Sequence, residues 1–224
     1  MCIRDSTVGG VTAVLQPLSG DLLAKAVAEN QPIKLASFEG HFETEQGAPL
    51  RIGGIPNEET RETPYAIEVP YGLSLLAFRD PNSSVKGLND FDRNLWPPVA
   101  VVHVAFQVMV FAGLAMMAIA FWAAWMRWRR SSMTASSAFL KTLVVAAPLG
   151  FIALESGWVV TEVGRQPWII QGVMKTADAV TPMPGLMIPF VLFTLIYVFL
   201  AVIVSLLLVR QFRSSPRFTR VEAA

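Results

Sequence analysis

Cysteine is almost absent: Cys2 is the only one in 224 residues. No internal disulfide is therefore open to the chain, and no thiolate cluster for zinc or an iron–sulfur centre. Histidine is nearly as scarce, with His41 and His103 alone. Charge is thin as well, since only 16% of residues are charged, against roughly 25% in an ordinary soluble domain. A formal net charge of +1 offers no basic field for a polyanion, and no basic stripe interleaved with aromatics is present, so no nucleic-acid partner is expected.

What fills the chain instead is apolar, 53% of it, and most of that sits in three long runs. Val99 to Met126, Phe139 to Val163 and Gly185 to Val209 each meet the requirement of about 20 apolar residues for a membrane-spanning helix. Arg127, Arg129 and Arg130 follow the first run, and Arg210, Arg213, Arg217 and Arg220 follow the third. Basic clusters mark the cytoplasmic side. The polar segment before Trp96 and the connection from Gly164 to Pro184 are then expected on the outer side.

These features predict an all-α integral membrane protein, a multi-pass transmembrane helix bundle with an extracytoplasmic loop. Residues 1–6, Met1-Cys2-Ile3-Arg4-Asp5-Ser6, read as a foreign scar on a chain cut upstream, and 7–19 as the end of a truncated transmembrane helix. Residues 20–97 form the periplasmic loop, 98–210 the three spans (about 99–126, 139–163 and 185–209), and 211–224 a basic cytoplasmic tail. Within the loop, short helices are expected at Leu22–Ala28 and Lys34–Phe42, an extended piece at Tyr65–Val69, and turns at Gly53-Gly54-Ile55-Pro56-Asn57 and Asp80-Pro81-Asn82.

A carboxylate inside a span costs about 2.5 to 3.5 kcal/mol on insertion scales, which makes Glu155 a functional candidate. It shares a helical face with Trp158 and Glu162. It could bind a metal, relay protons or pair with a cation; Glu162, nearer the span end, reads as solvated. In the first span Met109, Gly113 and Met116 line one face. A thioether beside glycine suits an axial haem ligand with room for the macrocycle, or plain packing. His103 and Gln107, at i and i+4, form a polar pair near the outer interface. Two histidines, one of them in the loop, cannot supply a haem site of the bis-histidine kind on facing helices. Gly164-Arg165-Gln166-Pro167-Trp168 stops the second span with an interface anchor, and Arg165 could neutralise haem propionates or a nearby carboxylate.

Gly164-Arg165-Gln166-Pro167-Trp168 also resembles the signature of subunit I of the cytochrome bd-type quinol oxidases, and residues 171–182 are similar to the cyanide-insensitive branch of that family. Glu155-Ser156-Gly157-Trp158 resembles the segment whose glutamate is an axial ligand of the high-spin haem b. Phe106-Gln107-Val108-Met109 resembles the one whose methionine ligates the low-spin haem b, with Trp96-Pro97-Pro98 before it. Gln31-Pro32-Ile33-Lys34-Leu35-Ala36-Ser37-Phe38-Glu39 looks like the start of the family's quinol-binding loop. The likeness covers about Gly20 to Arg210. It departs at Gln107, where many relatives have arginine, and at Phe151, where some have tryptophan.

The resemblance implies Lys34 and Glu39 as the quinol-oxidation pair, Met109 and Glu155 as ligands to haem iron, and Arg165, Trp168 and Gln107 as haem surroundings. It implies two b haems, with haem d or a b-type substitute as the third, and ubiquinol or menaquinol and O2 as substrates. A second oxidase subunit, a small accessory membrane subunit and membrane lipid complete the expected partners, in the bacterial cytoplasmic (inner) membrane. The family's histidine haem ligands lie in its N-terminal half, so this polypeptide by itself is expected to be inactive. Two other classes remain as competitors: an ion- or proton-transporting subunit built on Glu155 and Glu162, and a non-catalytic subunit that packs helices in a redox complex.

Overall fold

Helices make up most of the computed structural model, which describes residues 3–129 and 136–214. Part of the expected scar, Met1 and Cys2, lies outside the described residues, as do Arg130 and the tail beyond residue 214. Contacts divide the chain at residues 179 and 180. The first unit holds α1 (Ile3–Asn30), α2 (Pro32–Glu39), α3 (Gly72–Phe78), α4 (Val99–Trp128), α5 (Ser137–Ala146) and α6 (Leu149–Glu162). In the second lies α7 (Met187–Ser214), none of whose residues is buried.

Among the described residues, three helical stretches are long and apolar enough to cross a membrane: Val99–Trp128, Ser137–Glu162 and Met187–Ser214. The middle one differs from the single helix expected. It breaks into α5 and α6 at Ala147 and Pro148, because proline has no N–H to continue the ladder and its ring crowds the preceding turn. Ser136 caps α5 by accepting the Phe139 N–H at 3.3 Å. The segment Leu22–Ala28, read as a short helix of its own, is instead the end of α1, which runs unbroken through Pro17.

Among the described residues, strand is confined to three antiparallel ribbons of two or three residues a side. Glu45–Gln46 (β1) pairs with Ser84–Val85 (β4), Leu50–Ile52 (β2) with Ile67–Val69 (β3), and Trp168–Ile170 (β5) with Met174–Lys175 (β6). In the second ribbon Arg51 stands opposite Glu68.

α4 packs along α6 and α1, and α2 wedges against α4 and α1. Two apolar clusters meet at α2. Leu35 and Phe38 join Ala28, Leu73, Val85, Val102 and Val160, while Ile33 and Ala36 join Phe42, Leu88 and Val99. Burying each large side chain contributes about 1.5–3 kcal/mol, so this short helix is held on nearly every side; six of its eight residues are buried. Pro32 opens it in the first turn, where a missing N–H costs nothing. Gly40 closes it at φ 62, with the His41 N–H returning to the Ala36 carbonyl at 2.8 Å. That left-handed turn is why the chain leaves α2 immediately after Glu39.

Candidate functional site

Glu39 ends α2 with only 5% of its surface exposed, and its Oε2 has no hydrogen-bond partner among the described residues. Burial pushes the carboxyl from its usual 4.5 up to about 8, while the Arg51 guanidinium pulls the other way. Arg51 organises the neighbourhood. Its Nη1 donates to His41 Nδ1 at 2.8 Å and its Nε to Glu68 Oε1 at 3.0 Å, with Glu45 Oε1 3.9 Å from Nη2. His41 is fully buried. Burial first, then the Arg51 charge, push its imidazole down to about 4, so it stays neutral and accepts from the arginine.

Lys34 points elsewhere. Five residues apart on a helix, it and Glu39 lie about 140° apart around the axis, so they share no face. Lys34 Nζ donates to the Thr161 carbonyl at the end of α6, 3.4 Å away. Burial, and next the positive charge of Arg165, lower its pKa, with Glu162 opposing. Arg165 Nη2 donates to Glu162 Oε2 at 2.5 Å. Glu162 thus pairs with its neighbour at the helix exit, as a solvated carboxylate there would. Arg165 Nε and Trp168 Nε1 are both buried and without an acceptor among the described residues.

On α4, two polar side chains turn toward the loop. His103, fully buried, places Nδ1 2.9 Å from the Phe38 carbonyl and Nε2 3.1 Å from that of Gly53. Gln107 donates from Nε2 to the Arg51 carbonyl at 3.0 Å and accepts the Gly53 N–H at 3.3 Å. The Phe38 ring stacks against Phe106 with centroids 4.4 Å apart.

Two residues further along, Met109 faces α6 at its smallest point. A Cβ added to Gly157 would lie 3.1 Å from Met109 Sδ, so any larger residue there would press on the thioether. Glu155, two positions before that glycine, is exposed and makes no ion pair among the described residues. A thioether and a carboxyl on adjoining helices are donors that could each reach the iron of a haem bound between them. The unpartnered Arg165 Nε and Trp168 Nε1 are donors that a propionate would satisfy. The residues present therefore fit the group. No cluster of three or more His, Cys, Asp or Glu stands together as a conventional metal site among the described residues.

Of the residues singled out from sequence, the structure joins Lys34 to the Arg165 turn, and Met109 to the Glu155 segment of α6. Glu39 stands apart, beside Arg51. Composition alone would have left Lys34 and Glu39 as solvated loop charges, which the burial of Glu39 corrects. Arg51 and His41 were not read as site residues. Arg51 comes opposite Glu68 only once the strands pair.

A family model described as cytochrome bd terminal oxidase subunit I matches residues 4–216. The chain belongs to that family. It is 37% identical over 212 residues to a provisionally assigned cytochrome bd menaquinol oxidase subunit I of Bacillus subtilis (strain 168), covering 94% of this chain and 47% of that protein. To the cytochrome bd ubiquinol oxidase subunit 1 of the same organism it is 31% identical, over 88% of this chain and 44% of the relative. Its fold matches the solved structure of bd oxidase from Geobacillus thermodenitrificans with a TM-score of 0.78 at 42% identity, covering 92% of this chain and 48% of that one. The chain thus spans about half the length of the curated relatives it matches. Family and helices together make this bd oxidase family member a multi-pass protein of the bacterial cytoplasmic membrane.

Proposed function

We propose that this chain supplies the quinol-oxidising loop and two haem-iron ligands to subunit I of a terminal oxidase that oxidises ubiquinol or menaquinol at the periplasmic side and reduces O2 to water. The observation that carries this reading is Glu39: a buried carboxyl with a free oxygen, raised to about 8, is a stronger base when ionised than any exposed glutamate. A general base serves best with a pKa near the working pH. Each quinol gives up two hydroxyl protons and two electrons. Glu39 would take a proton from a quinol hydroxyl as the electrons leave, then release it outward past His41 and Arg51. Lys34, on another face of α2 and held by the Thr161 carbonyl, would add positive charge to the quinol loop from the α6 side.

Met109 would hold the iron of the low-spin haem b and Glu155 that of the high-spin haem b, with Arg165 and Trp168 donating to propionates. When bound, those haems and a third, haem d or a b-type substitute, carry the electrons to oxygen. Further iron ligands are needed beyond these two, so oxidase activity belongs to the complex assembled with subunit II and a small accessory subunit in lipid, not to this polypeptide alone. Glu39→Gln in the assembled oxidase tests the reading: quinol turnover falls about 10²- to 10⁴-fold while the haem spectrum is retained. Undiminished turnover would remove Glu39 from the mechanism.

A further inference from the structure

The two stretches that set the surroundings of Glu39 are both fastened to one face of α4. Phe38, the residue before Glu39, has its carbonyl 2.9 Å from His103 Nδ1. Arg51, whose side chain meets His41 and whose charge reaches Glu39, has its own carbonyl held by Gln107 Nε2 at 3.0 Å. Gly53 is gripped twice, its N–H by Gln107 Oε1 at 3.3 Å and its C=O by His103 Nε2 at 3.1 Å. A φ of +74 at Gly53, in the left-handed region, turns both of those groups toward α4.

We propose that His103 and Gln107 are positioning residues, a polar clamp that fixes the Glu39 end of α2 and the Arg51–Gly53 strand end in register with the helix that carries Met109. The proposal rests on the quinol-oxidation reading above. His103 and Gln107 are one turn apart on the same face, and Met109 follows His103 by six residues, about 9 Å along the axis. A rigid helix therefore links the proton-accepting carboxyl to the iron ligand by two side chains and four backbone contacts. Four backbone partners are a poor match for a role in packing alone. They are polar groups of a loop that would otherwise need other partners: Gln107 serves two of them with one donor and one acceptor, and the single N–H of a neutral His103 donates to one of the two carbonyls that flank its ring. Gly40 tightens the same junction, since a Cβ there would sit 3.2 Å from His103 Nδ1. Misplacement of a reacting group by about 1 Å costs on the order of 100-fold in rate, which is the error a loosened clamp would introduce.

The test uses the assembled oxidase with His103→Ala, Gln107→Ala or Gln107→Glu. Oxygen uptake is driven either by a short-chain ubiquinol or by tetramethyl-p-phenylenediamine, a one-electron donor that needs no quinol pocket. The expected result is a quinol-driven kcat/KM lowered on the order of tenfold to 100-fold, with the dye-driven rate of the same preparations far less affected. Gln107→Glu, which keeps the acceptor for the Gly53 N–H but loses the donor to Arg51, falls between wild type and Gln107→Ala. Unchanged quinol kcat/KM in Gln107→Ala overturns the clamp, and so does an equal loss of the quinol-driven and dye-driven rates, since that is what a purely structural role gives. Gln107→Ala removes only two contacts and carries the test if His103→Ala does not assemble. A wild-type oxidase that consumes oxygen with the dye but not with quinol overturns the reading of Glu39, and the clamp with it.

Discussion

Glu39 gives the sharpest prediction, because its surroundings set a number that a pH profile can read. With the carboxyl at about 8, only about one tenth is ionised at pH 7 and about one hundredth at pH 6. If the ionised form takes the quinol proton, kcat/KM rises about tenfold per pH unit up to 8 and levels off near 9. An exposed glutamate would give a flat profile across that range. His41, pushed down to about 4, is neutral throughout and adds no limb between pH 6 and 9. Burial and the charge of Arg165 lower the Lys34 pKa, and Lys34→Gln leaves the acid limb set by Glu39 in place. Arg51 supplies the decisive perturbation. Its charge lowers the carboxyl, so Arg51→Gln must raise it further, moving the acid limb to higher pH by on the order of 1 unit. At pH 7 that variant is slower than wild type, and at pH 9.5 most of the difference is gone. The measurement is quinol-dependent oxygen uptake by the assembled oxidase from pH 6 to 10. A flat wild-type profile, or an acid limb that stays put in Arg51→Gln, refutes the reasoning.

Three further outcomes are expected. Met109→Leu keeps the apolar contact with Gly157 but removes the sulfur, so the low-spin haem b signal is lost from the reduced-minus-oxidised spectrum while the high-spin signal stays. Glu155→Ala does the converse, and the two spectra together check the assignment of ligands. Gly40→Ala puts a Cβ 2.9 Å from Pro56 Cγ and Thr63 Oγ1 at a φ of +62. The backbone strain alone costs roughly 1–2 kcal/mol, so quinol turnover should be lost at a lower temperature than in wild type, as an inactivation series would show.

The spans were legible because hydrophobic length is a property of the chain itself, readable without knowing what packs where. Even so, the largely apolar run from Phe139 to Val163 masked the break at Pro148, where backbone chemistry overrides hydropathy. The His103 and Gln107 pair was visible as an i, i+4 polar couple near one end of its span. Its purpose was not, since the partners lie 65, 50 and 56 residues away in sequence, and backbone carbonyls carry no residue signature. Glu39 failed to stand out for a related reason. A glutamate in a polar loop is solvated by default, and only the packing of α2 against α4 and α1 makes it buried. Family resemblance marked Glu39 before any geometry could, whereas Arg51, which tunes it, carried no mark of either kind.

α4 joins these observations. At one end, Val99 donates its N–H to Glu58 Oε1 at 2.8 Å, and His103 and Gln107 bind the loop. At the other, the Arg129 guanidinium lies 4.9 Å over the Trp125 ring, which meets Trp128 edge-on at 5.6 Å, the aromatic and basic pairing that anchors a helix at a membrane surface. Thirty residues of helix extend about 45 Å, enough to cross a hydrocarbon core of about 30 Å and leave a turn or more beyond it at each end. A helix anchored at both ends cannot slide, so Met109 is held at a set depth. Any group clamped to the same helix shares that depth. Fastening the Phe38–Glu39 and Arg51–Gly53 backbone to α4, in place of leaving it on a free loop, makes the distance from Glu39 to Met109 a property of one rigid element.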